Sequence, residues 1–388
     1  MKNVMKWSLA ALLAAGLIGC GGEDQPDPAL EVIDEGFEDF EKGKTALENN
    51  ELKIAAGFFT EAAAKCETNF EARLQLAIVN LRLGNVEGAT AAASEALSVC
   101  PESAEALLVD GQAAYLKQDY ARAVKDFNAV AQAKSLPKQL QSEALAARSV
   151  VEIAQKNVDA ARITLFQAKR LNPLNASAWY HLGLISRDTY HFTEAALEQF
   201  QMAARLMGAR DERAKKLSRD VIPALRTQLQ QAAVAKPGVD RRDPGAAAKL
   251  IAEGDALRKK KRIRDAIKKY AEAYKADPLS DKAALPYAEL LAANVPRDAK
   301  GAAETVAKAL EAYRAVIDQN PSTQAYYLQA ARLAYKYEQY MQCAAIMDRA
   351  ISHDPENKQT LDLLVASLIK TGKTKQAEMW KAYRQGLK

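Results

Sequence analysis

The sequence predicts an all-α chain of stacked helix-turn-helix repeats, and two observations predict it. The first is self-similarity. Pro321 and Pro355 each close an Ala-rich stretch and lie 34 residues apart, and Pro101 closes another of the same kind. Counting back from Pro278 by five, eight and twelve residues meets Ala273, Tyr270 and Ala266, with Gly254 twelve further upstream. A fixed period in this range marks an array in which each unit buries its apolar face on its neighbours. The second is composition: of 388 residues 49% are hydrophobic but only 7% aromatic, with 18 glycines and 13 prolines. That is globular and Ala-rich. It excludes collagen-like, bulk-disordered and, with four cysteines, disulfide-scaffold classes.

Taken in order, the chain opens with a targeting segment. Lys2 and Lys6 precede an apolar run from Trp7 to Ile18, too short to span a bilayer comfortably and suited to the apolar core of a signal peptide. Leu17-Ile18-Gly19-Cys20 at its end resembles the lipobox of bacterial lipoproteins. That resemblance implies a signal peptide over 1–19, cleavage before Cys20, and acyl chains on Cys20 that hold the mature chain to the lipid bilayer. Each buried methylene adds about 0.8 kcal/mol, so two chains suffice for stable anchoring. Gly21 in place of Asp leans the expectation to the outer membrane, facing the periplasm. From Gly21 to Glu35 the chain carries Pro26, Pro28 and six carboxylates without helical or strand period. Residues 20–35 thus read as a lipidated acidic tether with a reach of about 20 Å.

Repeats fill most of the rest. A first array spans 36–209. Its units are 36–69 (Gly43, Ala55, Phe59, Ala62), 70–103 (Leu76, Gly84, Ala89, Ala96, Pro101), 104–137 (Gly111, Ala123, Phe127), then, after a slip of four, 142–175 (Ala161, Ala168, Pro173), and a unit opening at Trp179-Tyr180-His181-Leu182-Gly183. Residues 210–245 break the period. Leu217, Val221, Leu225 and Leu229 repeat every four residues, which predicts a capping helix pair interrupted near Pro223. The two Pro-Gly dipeptides between Lys236 and Gly245 mark a hinge. A second array spans 246–388, with units 247–280, 281–323, 324–357 and 358–388. The second of these has nine residues beyond 34, placed around Asn294-Val295-Pro296-Arg297 between its helices. This makes eight units and a truncated ninth.

The 34-residue pattern of Trp, Leu-Gly, Ala, an aromatic and Pro resembles the tetratricopeptide repeat (TPR) family over most of the mature chain. The fifth unit departs from it, with Ser186 where Tyr is usual and no closing Pro. The resemblance implies a right-handed superhelical solenoid in which Ala and Gly let helices approach while the ring fills the space beside them. It further implies that first helices line a groove that takes protein or peptide segments. By repeat position that groove would hold Leu74, Ile78, Leu81, Arg82, Leu108, Gln112, Tyr115, Tyr180, Leu184 and Arg187, and in the second array Arg332, Tyr335 and Lys336. Phe40 stands where the first Lys of a carboxylate clamp would be, which disfavours capture of a C-terminal tail.

The chain holds no nucleophile elbow, zinc-protease, P-loop or dinucleotide motif, and His181, His191 and His353 have no metal-ligand spacing. The expectation is a non-enzymatic chain with no cofactor and no catalytic metal. Paired carboxylates are plentiful, and nothing in the sequence prefers one pair as acid and base. Cys66 and Cys100 occupy equivalent places in adjacent repeats, beyond the usual span of a disulfide. Cys343 takes a small-residue position and reads as a buried free thiol.

Net charge is +5, too little over this length to argue for nucleic acid. Its distribution says more. Residues 21–209 carry −9 and residues 210–388 carry +12. The sharpest feature is Arg258, Lys259, Lys260, Lys261, Arg262, Arg264, Lys268 and Lys269 at an inter-helix turn, which suits phosphate head groups, lipopolysaccharide or an acidic protein and makes the basic array the place to expect an acidic partner. Together these readings point to a membrane-tethered interaction scaffold in cell-envelope biogenesis, with polysaccharide export as the alternative pathway.

Overall fold

The structure, a computed structural model, describes residues 36–235 and 239–387. The signal peptide, Cys20 and the tether lie outside the described residues. Among the described residues there are helices and turns and no strand. The described residues divide into two compact units, one ending at His181 and the other beginning at Leu182.

In the first unit, α1 (Phe37–Glu48) pairs with α2 (Leu52–Lys65), α3 (Phe70–Leu83) with α4 (Val86–Val99), α5 (Ala104–Leu116) with α6 (Tyr120–Gln132), and α7 (Lys138–Ala154) with α8 (Val158–Leu171). Each helix also packs on the next in the chain. The starts are written in the sequence: Asn69, Asn85, Ser103 and Asp119 accept hydrogen bonds from the third residue on, satisfying one of the free N–H groups of α3 to α6. Within a pair, a ring from the second helix lies on a glycine of the first. A Cβ on Gly43 would stand 2.6 Å from Phe59 Cε1, and one on Gly111 2.7 Å from Phe127 Cε1. Phe59 and Phe127 are fully buried, each contributing about 1.5–3 kcal/mol of burial. The four-residue slip before 142 lengthens α7 to 17 residues.

The helix α9 (Ala176–Asp188) crosses into the second unit. There α10 (Thr193–Met207) carries Phe200, whose ring meets Gly183 as Phe59 meets Gly43. The expected capping pair is instead one run: α11 (Glu212–Lys216), a π turn over Leu217–Val221, and α12 (Ile222–Val234). Proline cannot donate to the ladder and its ring crowds the preceding turn; the wider π turn just before Pro223 absorbs both. Leu217, Ile222 and Leu225 are buried, and α12 packs on α10.

Four further pairs follow: α13 (Pro244–Lys259) with α14 (Ile263–Ala276), α15 (Asp281–Ala293) with α16 (Ala299–Gln319), α17 (Gln324–Lys336) with α18 (Tyr340–His353), and α19 (Lys358–Lys370) with α20 (Thr374–Gln385). The surplus of unit 281–323 enters mainly the second helix, α16, which runs 21 residues, while the turn before it holds Asn294 to Asp298. A helix extends without losing backbone hydrogen bonds, whereas a longer loop would leave them unpaired. Tyr270 lies on Gly254 and is fully buried, as are Tyr327 and Trp380.

One backbone feature recurs in both units. The turn inside a pair, except that between α15 and α16, contains a residue in the left-handed region: Asn50, Gly84, Gln118, Lys156, His191, Lys261, Glu338 and Gly372. That residue reverses the chain so that the second helix returns antiparallel.

Candidate functional site

In the first unit a cleft of about 1030 Å³ opens beside α6. Leu97, Leu107, Val130 and Leu136 line it with Asp110, Arg122, Lys125 and Asp126. Asp110 is buried on α5, and Arg122 grips it with two bonds, Nε to Oδ2 at 2.8 Å and Nη2 to Oδ1 at 2.9 Å. Arg122 Nη2 also donates to Ser94 Oγ at 3.2 Å on α4, so three helices meet in this network. Asp126, one turn along α6, is 7% exposed. Burial and the neighbouring Asp110 carboxylate push it up to about 7, against the pull of Arg122 and Lys125. Its Oδ2 has no hydrogen-bond partner among the described residues. The cleft thus joins apolar walls to a charged floor whose charge changes near neutrality.

The second unit holds a cleft of about 610 Å³ between α10, α12 and the ends of α16 and α18. Leu197, Leu229, Ala232 and Ala233 supply its apolar lining. Beside it Arg349 of α18 donates to Glu194 Oε1 of α10 at 3.0 Å and to Asp318 Oδ1 of α16 at 2.9 Å. His353 Nδ1 meets Glu198 Oε2 at 3.2 Å, and Gln199 Nε2 reaches Ser352 O at 3.4 Å. Nothing in the repeat pattern signals these contacts, because they join helices some 155 residues apart.

The groove residues expected by repeat position fall into two groups. Leu74, Ile78 and Leu81 are buried in the core around α3 to α5, and Leu108 in the core of α5 to α7; Gln112 is buried too. The apolar stripe there packs one pair on the next, which corrects its assignment to an open groove. Arg82, Tyr115, Tyr180, Leu184, Arg187 and Tyr335 are half-buried, and Arg332 and Lys336 are exposed. Tyr115 lies against Tyr120 at 6.1 Å and Tyr335 against Tyr340 at 5.1 Å between ring centres. Arg82 donates to Asn50 Oδ1 at 2.9 Å and Arg332 to Gln359 Oε1 at 3.0 Å, so both arginines help tie adjacent pairs.

The basic run lies where the sequence places it, around the turn from α13 to α14. Arg258 approaches Glu289 at 3.9 Å, Arg262 pairs with Asp265 at 2.7 Å, and Lys269 with Glu253 at 2.9 Å and Glu272 at 3.3 Å. Lys259, Lys260, Lys261, Arg264 and Lys268 are exposed and make no ion pair among the described residues.

Cys66 is a free thiol and so forms no bridge with Cys100, and Cys343 is free and buried, its thiol pushed up by burial. Among the described residues no group of three His, Cys, Asp or Glu is placed to hold a metal ion, and no helix is long and apolar enough to cross a membrane.

A tetratricopeptide-repeat family model matches residues 74–139 and 251–321, one stretch in each unit. Among solved structures, the chain is similar to a MamA RS-1 double mutant, at 20% identity over 46% of this chain and 97% of that one, with a TM-score of 0.38. It is similar to PilF of Pseudomonas aeruginosa at 16% identity over 68% and 99%, with a TM-score of 0.39. A tetratricopeptide repeat protein from Parabacteroides merdae ATCC 43184 matches at 13% identity over 86% and 99%, with a TM-score of 0.32. No curated protein matches in sequence. With the matched stretches in both units, and helix pairs that pack a ring against a small residue, the chain carries tetratricopeptide repeats in each of its two units.

Proposed function

We propose that this protein is a lipid-anchored interaction scaffold of the bacterial cell envelope, held to the outer membrane through Cys20 and facing the periplasm. Its clefts take segments of partner proteins during envelope biogenesis, in the assembly of outer-membrane proteins or pili or in the recruitment of cell-wall enzymes. The basic second array gives it a further contact for an acidic partner. The observation that carries the reading is the cleft beside α6. Its apolar walls can bury side chains of an extended segment while Arg122, Lys125 and the two carboxylates fix orientation. The lipobox-like Leu17 to Cys20 supports the anchor.

Two measurements test it. Cys20→Ala releases the protein from membranes on fractionation; an unchanged membrane fraction refutes the anchor. A photo-crosslinker at Lys125 or Glu102, both lining the cleft, compared in living cells with one at exposed Glu67, captures a defined envelope protein from the cleft positions alone. Equal capture from all three positions refutes the cleft as the docking site.

A further inference from the structure

Helices that pack in chain order through short turns alternate in direction. The inner turns of α13/α14, α15/α16, α17/α18 and α19/α20 therefore lie along one edge of the second unit. That edge is basic at every step. The first turn carries Lys259, Lys260 and Lys261; the second, Arg297 and Lys300; the third, Lys336; and the fourth, Lys370 and Lys373. All of these are exposed. None makes an ion pair among the described residues, and Lys336 and Lys370 instead lie over tyrosine rings. The acidic groups on the same edge are few: Asp265, paired with Arg262, Asp298, used to cap Gly301 N, and Glu338.

The corresponding positions of the first unit are built differently. There the residues that begin the second helices are Glu51, Asn85, Asp119 and Asn157, of which Asn85 and Asp119 accept from the helix N–H groups. In the second unit Asp298 caps its helix, whereas Arg262, Gln339 and Lys373 hold the other three places and supply no side-chain cap. A cation at a helix N-terminus opposes the helix dipole and leaves N–H groups unsatisfied. Consecutive lysines around a turn repel one another, and Lys261 holds a left-handed conformation besides, at φ 58. These unfavourable choices sit along one edge of the unit, and a facing sheet of negative charge relieves the electrostatic ones.

We propose that this edge docks on the anionic phospholipid headgroups of a membrane. Three properties select a headgroup surface over an acidic peptide. The cations extend over four successive turns rather than clustering at one point. They project from turns, and neither of the two clefts described above is lined by any of them. The first two turns, which carry most of the cations, have no large exposed hydrophobic side chain, and Met341 beside the third and Ile369 beside the fourth lie toward one end of the row, whereas a protein interface needs an apolar anchor at its centre. An extended, groove-free row of unpaired cations matches a plane of phosphates, each cation contributing about 1 kcal/mol near such a surface. The inference deepens the membrane-tethered reading but uses residues remote in sequence from Cys20.

The test is vesicle sedimentation with the full chain carrying Cys20→Ala, so that no acyl chain contributes. Vesicles are of phosphatidylcholine alone, or with about a third phosphatidylglycerol. The expected result is at least about tenfold stronger binding to the anionic vesicles, lost in about 0.5 M sodium chloride. The variant Lys260→Glu/Lys261→Glu/Lys373→Glu loses that preference, and the milder set Lys260→Gln/Lys261→Gln/Lys373→Gln reduces it with an unchanged helical circular dichroism spectrum. Any apolar contribution of residues 1–19 is equal in all variants. Equal binding to both vesicle types, or an anionic preference that survives in both variants, overturns the proposal. Displacement of the protein from anionic vesicles by polyglutamate at lower charge concentration than by phosphatidylglycerol assigns the edge to an acidic protein instead. Fractionation of Cys20→Ala in cells reports separately on the lipid anchor.

Discussion

Asp126 is where the chemistry of a single residue sets a measurable property of the whole. A carboxyl pushed up to about 7 keeps in the fold a proton that the unfolded chain releases near pH 4. Between about pH 4 and pH 7 the folded state binds more protons than the unfolded one, so this group's contribution to stability falls as pH rises through that window. Asp126→Asn retains a donor for Asp110 and has nothing to titrate. Its stability relative to the parent is expected to grow from pH 4 to pH 7, reaching about 1–2 kcal/mol by pH 8, read by urea denaturation at each pH. A difference that is flat across the window would assign the titration elsewhere. The sequence offered many carboxylates and no reason to choose among them. Asp110 and Asp126 stand 16 residues apart, the same separation as Gly111 and Phe127, and so fall where the two helices of one pair cross. The spacing was on the page, but burial, which turns the spacing into a pKa shift, is a property of the packed stack. The same holds for Leu74, Ile78, Leu81 and Leu108: repeat position places them on first helices, and the neighbouring pair decides that they are core.

At the scale of elements the repeats were largely legible, because small residues and rings at fixed spacing leave one way to pack a helix pair. The boundaries that moved did so where sequence symmetry broke, in the long α7 and α16 and at the π turn before Pro223. Less legible was the left-handed residue of the short inner turns. Asn50, Gly84 and Gln118 are 34 apart, as are Glu338 and Gly372, yet only two of these five are glycine. The turn geometry is imposed by the helices it joins, and a non-glycine side chain bears the steric cost of about 1 kcal/mol. Gln118→Gly is therefore expected to stabilise the protein by up to about 0.5 kcal/mol, the relief of that strain slightly exceeding the entropy glycine gains in the unfolded chain. Thermal and chemical denaturation measure it; a less stable variant would mean that Gln118 makes contacts that outweigh its backbone strain.

The second unit is more than a stack of nearest neighbours. A repeat array gains stability from each pair's contact with the next, but here α18 also returns to α10 through Arg349, Glu194 and Asp318, and through His353 and Glu198. Self-comparison of the sequence finds what recurs, and this contact occurs once, so a reading built on periodicity passes over it. Its energetics follow from burial. The Arg349 side chain is 17% exposed and both its carboxylate partners are under a quarter exposed, so removing the guanidinium strands two poorly hydrated charges. Arg349→Ala is expected to cost about 2–4 kcal/mol. Because the contact closes a long stretch of chain, the loss is expected to raise hydrogen exchange together in residues 193–207 and 340–353. Joining ends so far apart is entropically demanding, and a weakened closing contact opens as a unit. The triple variant Arg349→Met/Glu194→Gln/Asp318→Asn leaves no buried charge behind and is expected to recover most of the stability. If Arg349→Ala accelerates exchange only in 340–353, α18 and α10 are held by their apolar neighbours and the ion pairs merely decorate the contact; if both helices loosen together and the triple variant restores them, the ionic triad is what fastens the unit.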